Sequence, residues 1–172
     1  FRRVLFRSML DWSVDQKEHP VMILIPGNQV TYREADKDFN RLNHFKVEEA
    51  GEKVAILALG DFYQRGEQLS AKIKAELGFT PTLINPRFAS GIDKELLESL
   101  SERHQMVITM EDGILSGGFG EKIASFYGSS DMKVKNYGLE KKFYDRYDPN
   151  ELLKEVGMTP AQIIADICNQ LK

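Results

Sequence analysis

The chain has 172 residues, of which 42% are hydrophobic and 28% charged, and a net charge of −3. That length suits one domain, or one domain plus part of another, and the apolar share, with ten phenylalanines, excludes a mainly disordered chain. The charge leaves no basic footprint for nucleic acid, and no apolar run reaches the about 18 residues that a membrane-spanning helix needs.

The opening FRRVLFRS begins with Phe1 rather than Met and lacks the long apolar stretch of a signal peptide. It resembles translated adapter sequence, so residues 1–8 are set aside as non-native and a truncation upstream is expected. Residues 9–16 predict a short helix, and residues 21–25 an apolar strand stopped by Pro26-Gly27-Asn28. Two elements cannot bury a core alone, so residues 9–30 read as the end of a domain whose remainder is missing. Residues 31–50 are charged and without sustained period. They read as a connector, with a short helix near 36–43 and with Tyr32 and Phe45 pinning it to a neighbouring surface. Asp36, Asp38, Glu48 and Glu49 form a solvated face.

From Gly51 onward the pattern is regular. Val54 to Leu59 is a continuous apolar run, as expected of a strand buried on both faces. Leu69, Ile73 and Leu77 mark a helix over 64–77, closed by Gly78. A second strand covers 80–85. Asp93 caps the next helix, whose inner face carries Leu96, Leu97 and Leu100. A third strand, Met106 to Met110, leads through Glu111-Asp112 into Gly117, Gly118 and Gly120, and a helix with Ile123, Ala124 and Phe126 follows. A fourth strand covers 132–137, and helices over 149–156 and 160–171 close the chain, the last with Thr159 as N-cap and Pro160 at the first helical position. Strands alternating with helices predict a three-layer α/β/α domain with a mostly parallel sheet over residues 51–172.

Gly117, Gly118 and Gly120 lie between a strand end and a helix start, where free backbone N–H groups bind anions. Their GGFG spacing is neither GxGxxG nor a P-loop, and no lysine or Ser/Thr pair follows in the Walker position. Either the loop takes an anion or its glycines serve a tight turn and close helix-to-sheet packing; the negative charge of Glu111 and Asp112 favours the second. Arg87 and Asp93 bracket a turn at the ligand-binding edge of such a sheet; either they bind substrate or they form a loop-holding ion pair, and the second reading is favoured. His19, His44 and His104 show no metal-ligand spacing. Cys168 sits in a helical pattern, fits a small buried side chain, and excludes an internal disulfide, which suits a cytoplasmic location. No complete active site emerges: catalytic, cofactor-binding and metal residues are all expected to be absent.

GEKVAILALG, TPTLINPRFASGIDKELL, HQMVITMEDGILSGGFGEKIASF and VKNYGLEKKFYDRYDPNELLKEVGMTPAQIIADI, in this order and spacing, resemble the C-terminal portion of the 1-deoxy-D-xylulose-5-phosphate synthase family of transketolase-like thiamine enzymes. MLDWSVDQKEHPVMILIPGN resembles the last helix and strand of that family's pyrimidine-binding domain. The resemblance implies a transketolase C-terminal domain preceded by a pyrimidine-domain fragment. In the intact enzyme it implies a transferase that uses thiamine diphosphate and Mg²⁺ to condense pyruvate with glyceraldehyde 3-phosphate, releasing carbon dioxide, for isoprenoid and thiamine biosynthesis. It also implies a cytoplasmic homodimer whose missing N-terminal and pyrimidine domains hold the catalytic groups. This segment would add shape and dimer contacts, bind no cofactor, and be inactive alone. The alternatives are the tail of a transketolase or of a 2-oxo-acid dehydrogenase β subunit, or a non-enzymatic α/β dimerisation module. Three departures bear on the acceptor substrate. The run Leu24-Ile25-Pro26-Gly27-Asn28 lacks the arginine with which the family contacts substrate phosphate, Glu140-Lys141 replace a proline–aspartate, and Arg146 replaces a histidine.

The division predicts that limited proteolysis nicks residues 31–49 first; cleavage inside the α/β region with that stretch protected would contradict it.

Overall fold

The computed structural model describes residues 3–25 and 43–171. Contacts divide the chain into two units, Phe1–Leu42 and Asn43–Lys172. In the first, helix α1 spans Arg3–Asp15, six residues earlier than the expected start at Met9. Nothing in the sequence before Pro20 breaks a helix. The Gln16 side chain then accepts from the N–H groups of Glu18 and His19 and closes the turn. Residues 21–25 form no strand, contrary to expectation. A strand exists only by pairing, and Met22, Leu24 and Ile25 are 88%, 74% and 62% exposed. The expected helix near 36–43 and the anchor Tyr32 fall outside the described residues.

The second unit is one five-stranded sheet in the order β1-β3-β2-β4-β5, built from β1 (Lys46–Glu49), β2 (Lys53–Ala58), β3 (Thr82–Asn85), β4 (His104–Ile114) and β5 (Lys133–Leu139). Four strands run parallel, and β1 closes one edge antiparallel to β3. This strand lies where the sequence read as connector: Lys-Val-Glu-Glu is half exposed and shows no apolar run. The connector's other anchor, Phe45, is buried as expected.

Period-two alternation explains the apolar run of β2. Val54, Ile56 and Ala58 enter one core and Ala55 and Leu57 the other. The first core is covered by α2 (Tyr63–Leu77) and α6 (Pro160–Gln170), through Leu69, Ile73, Ile163 and Ile167. The second is covered by α3 (Lys94–Leu100) and α4 (Phe119–Tyr127), through Leu97, Leu100, Ile123 and Tyr127. Helix α5 (Pro149–Glu155) precedes α6. Cys168 packs partly buried against the first core. The chain winds from β2 outward to β3, then back past β2 to β4 and β5. Crossover helices on opposite faces are what right-handed connections require of that order. The strand ends of β2 and β4 therefore flank the point where the winding reverses, the usual crevice of open parallel sheets.

Seven-residue α3 is too short to persist by propensity alone. Asp93 fixes its start: one carboxylate oxygen accepts from Leu96 N at 3.2 Å, and the other accepts from Phe45 N at 2.9 Å. One side chain thus caps α3 and moors the entry to β1. We expect Asp93→Ala to destabilise the domain by about 2–4 kcal/mol, the sum of a lost N-cap and a buried N–H left without acceptor. Urea denaturation checks this; a loss below about 1 kcal/mol, the N-cap alone, would show that the Phe45 mooring contributes nothing.

Candidate functional site

The glycine loop stands at the end of β4, beside the winding reversal. Strand β4 runs on past the expected Met110 to Ile114 because the chain bulges there and regains β5 at Ile114↔Leu139. Glu111 is therefore a strand residue, 5% exposed. Its carboxylate accepts from Phe119 N at 2.9 Å and from Gly120 N at 2.8 Å, the first amides of α4. Gly117 N donates to the Glu121 carboxylate at 2.8 Å, and Gly118 N to the Leu115 carbonyl at 2.9 Å. All four amides from Gly117 to Gly120 thus have acceptors within the chain. An outside anion would have to displace a carboxylate already held by two of them.

The glycines have separable reasons. Gly117 takes φ +75°, which only glycine adopts freely. A methyl carbon at Gly118 would lie 2.6 Å from the Glu111 carboxylate, and one at Gly120 would lie 2.5 Å from Thr109 Oγ1. There Thr109, fully buried in β4, donates to Asn136 Oδ1 of β5 at 2.9 Å. Helix α4 comes this close to the sheet because nothing projects from Gly120.

At the neighbouring turn, Arg87 follows β3 with φ +61°, its N–H bonded to Asn85 Oδ1 at 3.1 Å. Asp93 gives its carboxylate to Phe45, Leu96 and His44, whose Nδ1 lies 2.9 Å from Oδ2. Ser90 donates to Asn43 Oδ1 at 3.1 Å, and Lys122 of α4 donates to the Ala89 carbonyl at 2.8 Å, so the turn is tied from both sides. Sequence reasoning missed His44 and Lys122 here, and nothing in their spacing from the turn reveals them. Glu111 had a visible mark, an acidic residue at a strand end before a glycine-rich helix start. In the structure that charge lies against the loop's own amides, those of Phe119 and Gly120.

His104 is also a structural group. Its Nδ1 lies 2.9 Å from the Leu100 carbonyl and its Nε2 2.7 Å from Thr82 Oγ1. Burial holds its pKa below the ordinary 6.5, with Arg103 adding to the effect and the Leu100 hydrogen bond opposing it. Among the described residues, no group of three or more His, Cys, Asp or Glu is placed to hold a metal. A groove of about 340 Å³ beside β5 is lined by Lys135, Tyr137, Lys142, Glu155 and Asp166. Its charges are spent on one another: Tyr137 donates to Asp166 at 2.8 Å, and Lys142 lies 3.4 Å from Glu155.

Residues 43–163 match the family model described as transketolase, C-terminal domain. The chain is similar to the 1-deoxy-D-xylulose-5-phosphate synthase of Shouchella clausii (strain KSM-K16), 31% identical over 96% of this chain and 27% of that protein. It is similar also to the enzyme of that name from a Synechococcus species, 31% identical over 91% of this chain and 25% of that protein. The chain thus spans about a quarter of the length of these curated relatives. Among solved structures, a split-gene transketolase, described as an inactive β4 tetramer, superposes with a TM-score of 0.66 at 24% identity. That match covers 75% of this chain and 42% of the other, and at this identity it speaks for the fold alone.

Three substitutions resolve the loop. Glu111→Gln turns an amide NH₂ toward one of the α4 N–H groups and should cost about 2 kcal/mol or more. Gly120→Ala should cost about 1–3 kcal/mol by overpacking against Thr109, and Gly117→Ala about 1 kcal/mol by backbone strain. Thermal denaturation reads all three. Millimolar phosphate should leave the wild-type melting temperature where an equal ionic strength of chloride leaves it. A phosphate-specific rise that Glu111→Gln alters would mean that the loop takes external anions.

Proposed function

The chain belongs to the transketolase C-terminal domain family, and on that premise we propose that it is the C-terminal portion of a thiamine-diphosphate-dependent 1-deoxy-D-xylulose-5-phosphate synthase. The observation that carries this reading is the 31% identity to an enzyme of that name along 96% of the chain. The intact protein would condense pyruvate with glyceraldehyde 3-phosphate and release carbon dioxide, with Mg²⁺ beside the cofactor, as a cytoplasmic homodimer. This segment would supply shape and dimer contacts. Gly117, Gly118 and Gly120 would serve backbone geometry, and Arg87 and Asp93 would hold their loop.

The glycine loop does not fit the cofactor's diphosphate. A diphosphate needs free donors and a metal with carboxylate or amide oxygen ligands, whereas the amides of the glycine loop are closed by Glu111, Glu121 and Leu115. No catalytic step runs through the cofactor on this segment in the reading proposed. When bound in the intact enzyme, thiamine diphosphate would supply the carbanion stabilisation that decarboxylation requires.

Two measurements test the reading. Calorimetry of this chain with thiamine diphosphate and Mg²⁺ should show no micromolar binding, and pyruvate should yield no carbon dioxide. A chimaera carrying residues 9–172 behind the N-terminal part of the Shouchella clausii enzyme should release carbon dioxide from pyruvate only when glyceraldehyde 3-phosphate is present. A soluble, cofactor-binding chimaera that instead transfers two-carbon units between sugar phosphates would place the chain with the transketolases.

A further inference from the structure

At the end of the sheet opposite the glycine loop, four groups form one hydrogen-bonded line. Gly51 N lies 2.9 Å from Thr82 Oγ1, Thr82 Oγ1 lies 2.7 Å from His104 Nε2, and His104 Nδ1 lies 2.9 Å from the Leu100 carbonyl. The chemistry of the ends fixes every proton. A carbonyl only accepts, so Nδ1 carries the hydrogen and Nε2 of the neutral ring is an acceptor. Thr82 therefore donates to Nε2 and accepts from Gly51. Thr82 is 3% exposed, and the nearby Thr80 carbonyl already takes Glu52 N at 2.9 Å.

A second proton on the ring leaves the Leu100 bond intact and strikes only the other side. Nε2 becomes a donor, the Thr82 bond must reverse, and the buried Thr82 hydroxyl hydrogen loses its acceptor. That hydroxyl also holds Gly51, the residue that leads from β1 into β2. We propose that Gly51, Thr82 and His104 form a proton-sensitive clasp on the edge strand β1, which acidification releases before the rest of the sheet opens. Strand β1 is the element such a clasp would govern. It has four residues, one pairing partner among the described residues, a register irregularity between Val47 and Glu49, and Val47 at 39% exposure.

The charges around the ring oppose a second proton or are already engaged. Arg103 adjoins the ring, and Lys53 of β2 pairs with His104 in register. Lys53 approaches Glu52 at 4.0 Å, Glu49 of β1 accepts from Ser70 of α2, and Lys133 of β5 turns to the Gln170 carbonyl. With β1 open, the ring regains water and its ordinary affinity for protons. The open state therefore binds the proton more tightly than the closed one, and closure weakens as the pH falls below 6.5. His44 stands at the other end of β1, on Asp93.

Residue-resolved amide exchange on the full chain, expressed as protection factors, tests the clasp. Between about pH 7.5 and about pH 5, protection of residues 46–51 should fall while that of Ile56 and Ile108 changes little. His104→Gln should remove that pH dependence, which separates this imidazole from His44. Thr82→Val, which keeps the shape and drops the hydroxyl, should leave β1 weakly protected at both pH values. A β1 that is indifferent to pH, a fall shared equally by β2 and β4, or a fall that survives in His104→Gln would each overturn the proposal. The wild-type comparison stands even if a variant fails to fold.

Discussion

A single buried carboxylate organises the second unit. Removing the Glu111 charge from water costs several kcal/mol, and a charge-assisted hydrogen bond returns about 1.5–3 kcal/mol. Two such bonds, from Phe119 and Gly120, together with the positive end of α4, roughly offset that cost. One bond would not. The start of α4 and the end of β4 are consequently fixed to each other, and the glycines between them follow from that constraint.

The constraint propagates by contact. Phe119, held by its N–H on Glu111, is 2% exposed, and its ring centroid lies 5.9 Å from that of Phe45. Phe45 hangs by its own N–H on Asp93, which starts α3. Tyr127 at the far end of α4 donates to the Leu97 carbonyl in the middle of α3 at 2.6 Å. Helix α4 is thus tied to α3 from both of its ends, through Phe45 and Asp93 at its start and through Tyr127 at its finish, and each polar link is made by a buried side chain with its partner in place. This pattern makes a rigid shape. It also engages the Glu111, Asp93 and Tyr127 side chains within the chain itself.

Most of the architecture was legible because the sheet is buried on both faces. Residues 54–59 are an unbroken apolar run and 106–110 one interrupted only by Thr109, Gly78 and Thr159 stop and start helices as their chemistry demands, and Asp93 caps α3 by a local bond to Leu96. What escaped was whatever depends on a partner distant in the chain. Strand β1 is a strand only because β3 offers it an edge, while the apolar residues 21–25, with a better strand pattern, find no ladder among the described residues. In the candidate site, Gly117, Gly118 and Gly120 were legible as positions that need glycine. The occupant of the amides was not, because a strand residue eight and nine positions earlier folds back onto them only when β4 and α4 have packed. His44 on Asp93 and Lys122 on Ala89 are of the same non-local kind.

The edge strand has a consequence for the growing chain. On the ribosome, β1 emerges before the other described strands of its sheet, yet its partner, β3, follows after β2 and α2 have been made. An apolar strand left waiting would seek other edges. Lys46, Glu48 and Glu49 leave β1 just one aliphatic side chain, Val47, and place charges on it that discourage pairing with strangers. Its unremarkable composition, which hid it from pattern reading, lets it stay solvated through that delay and dock when β3 arrives.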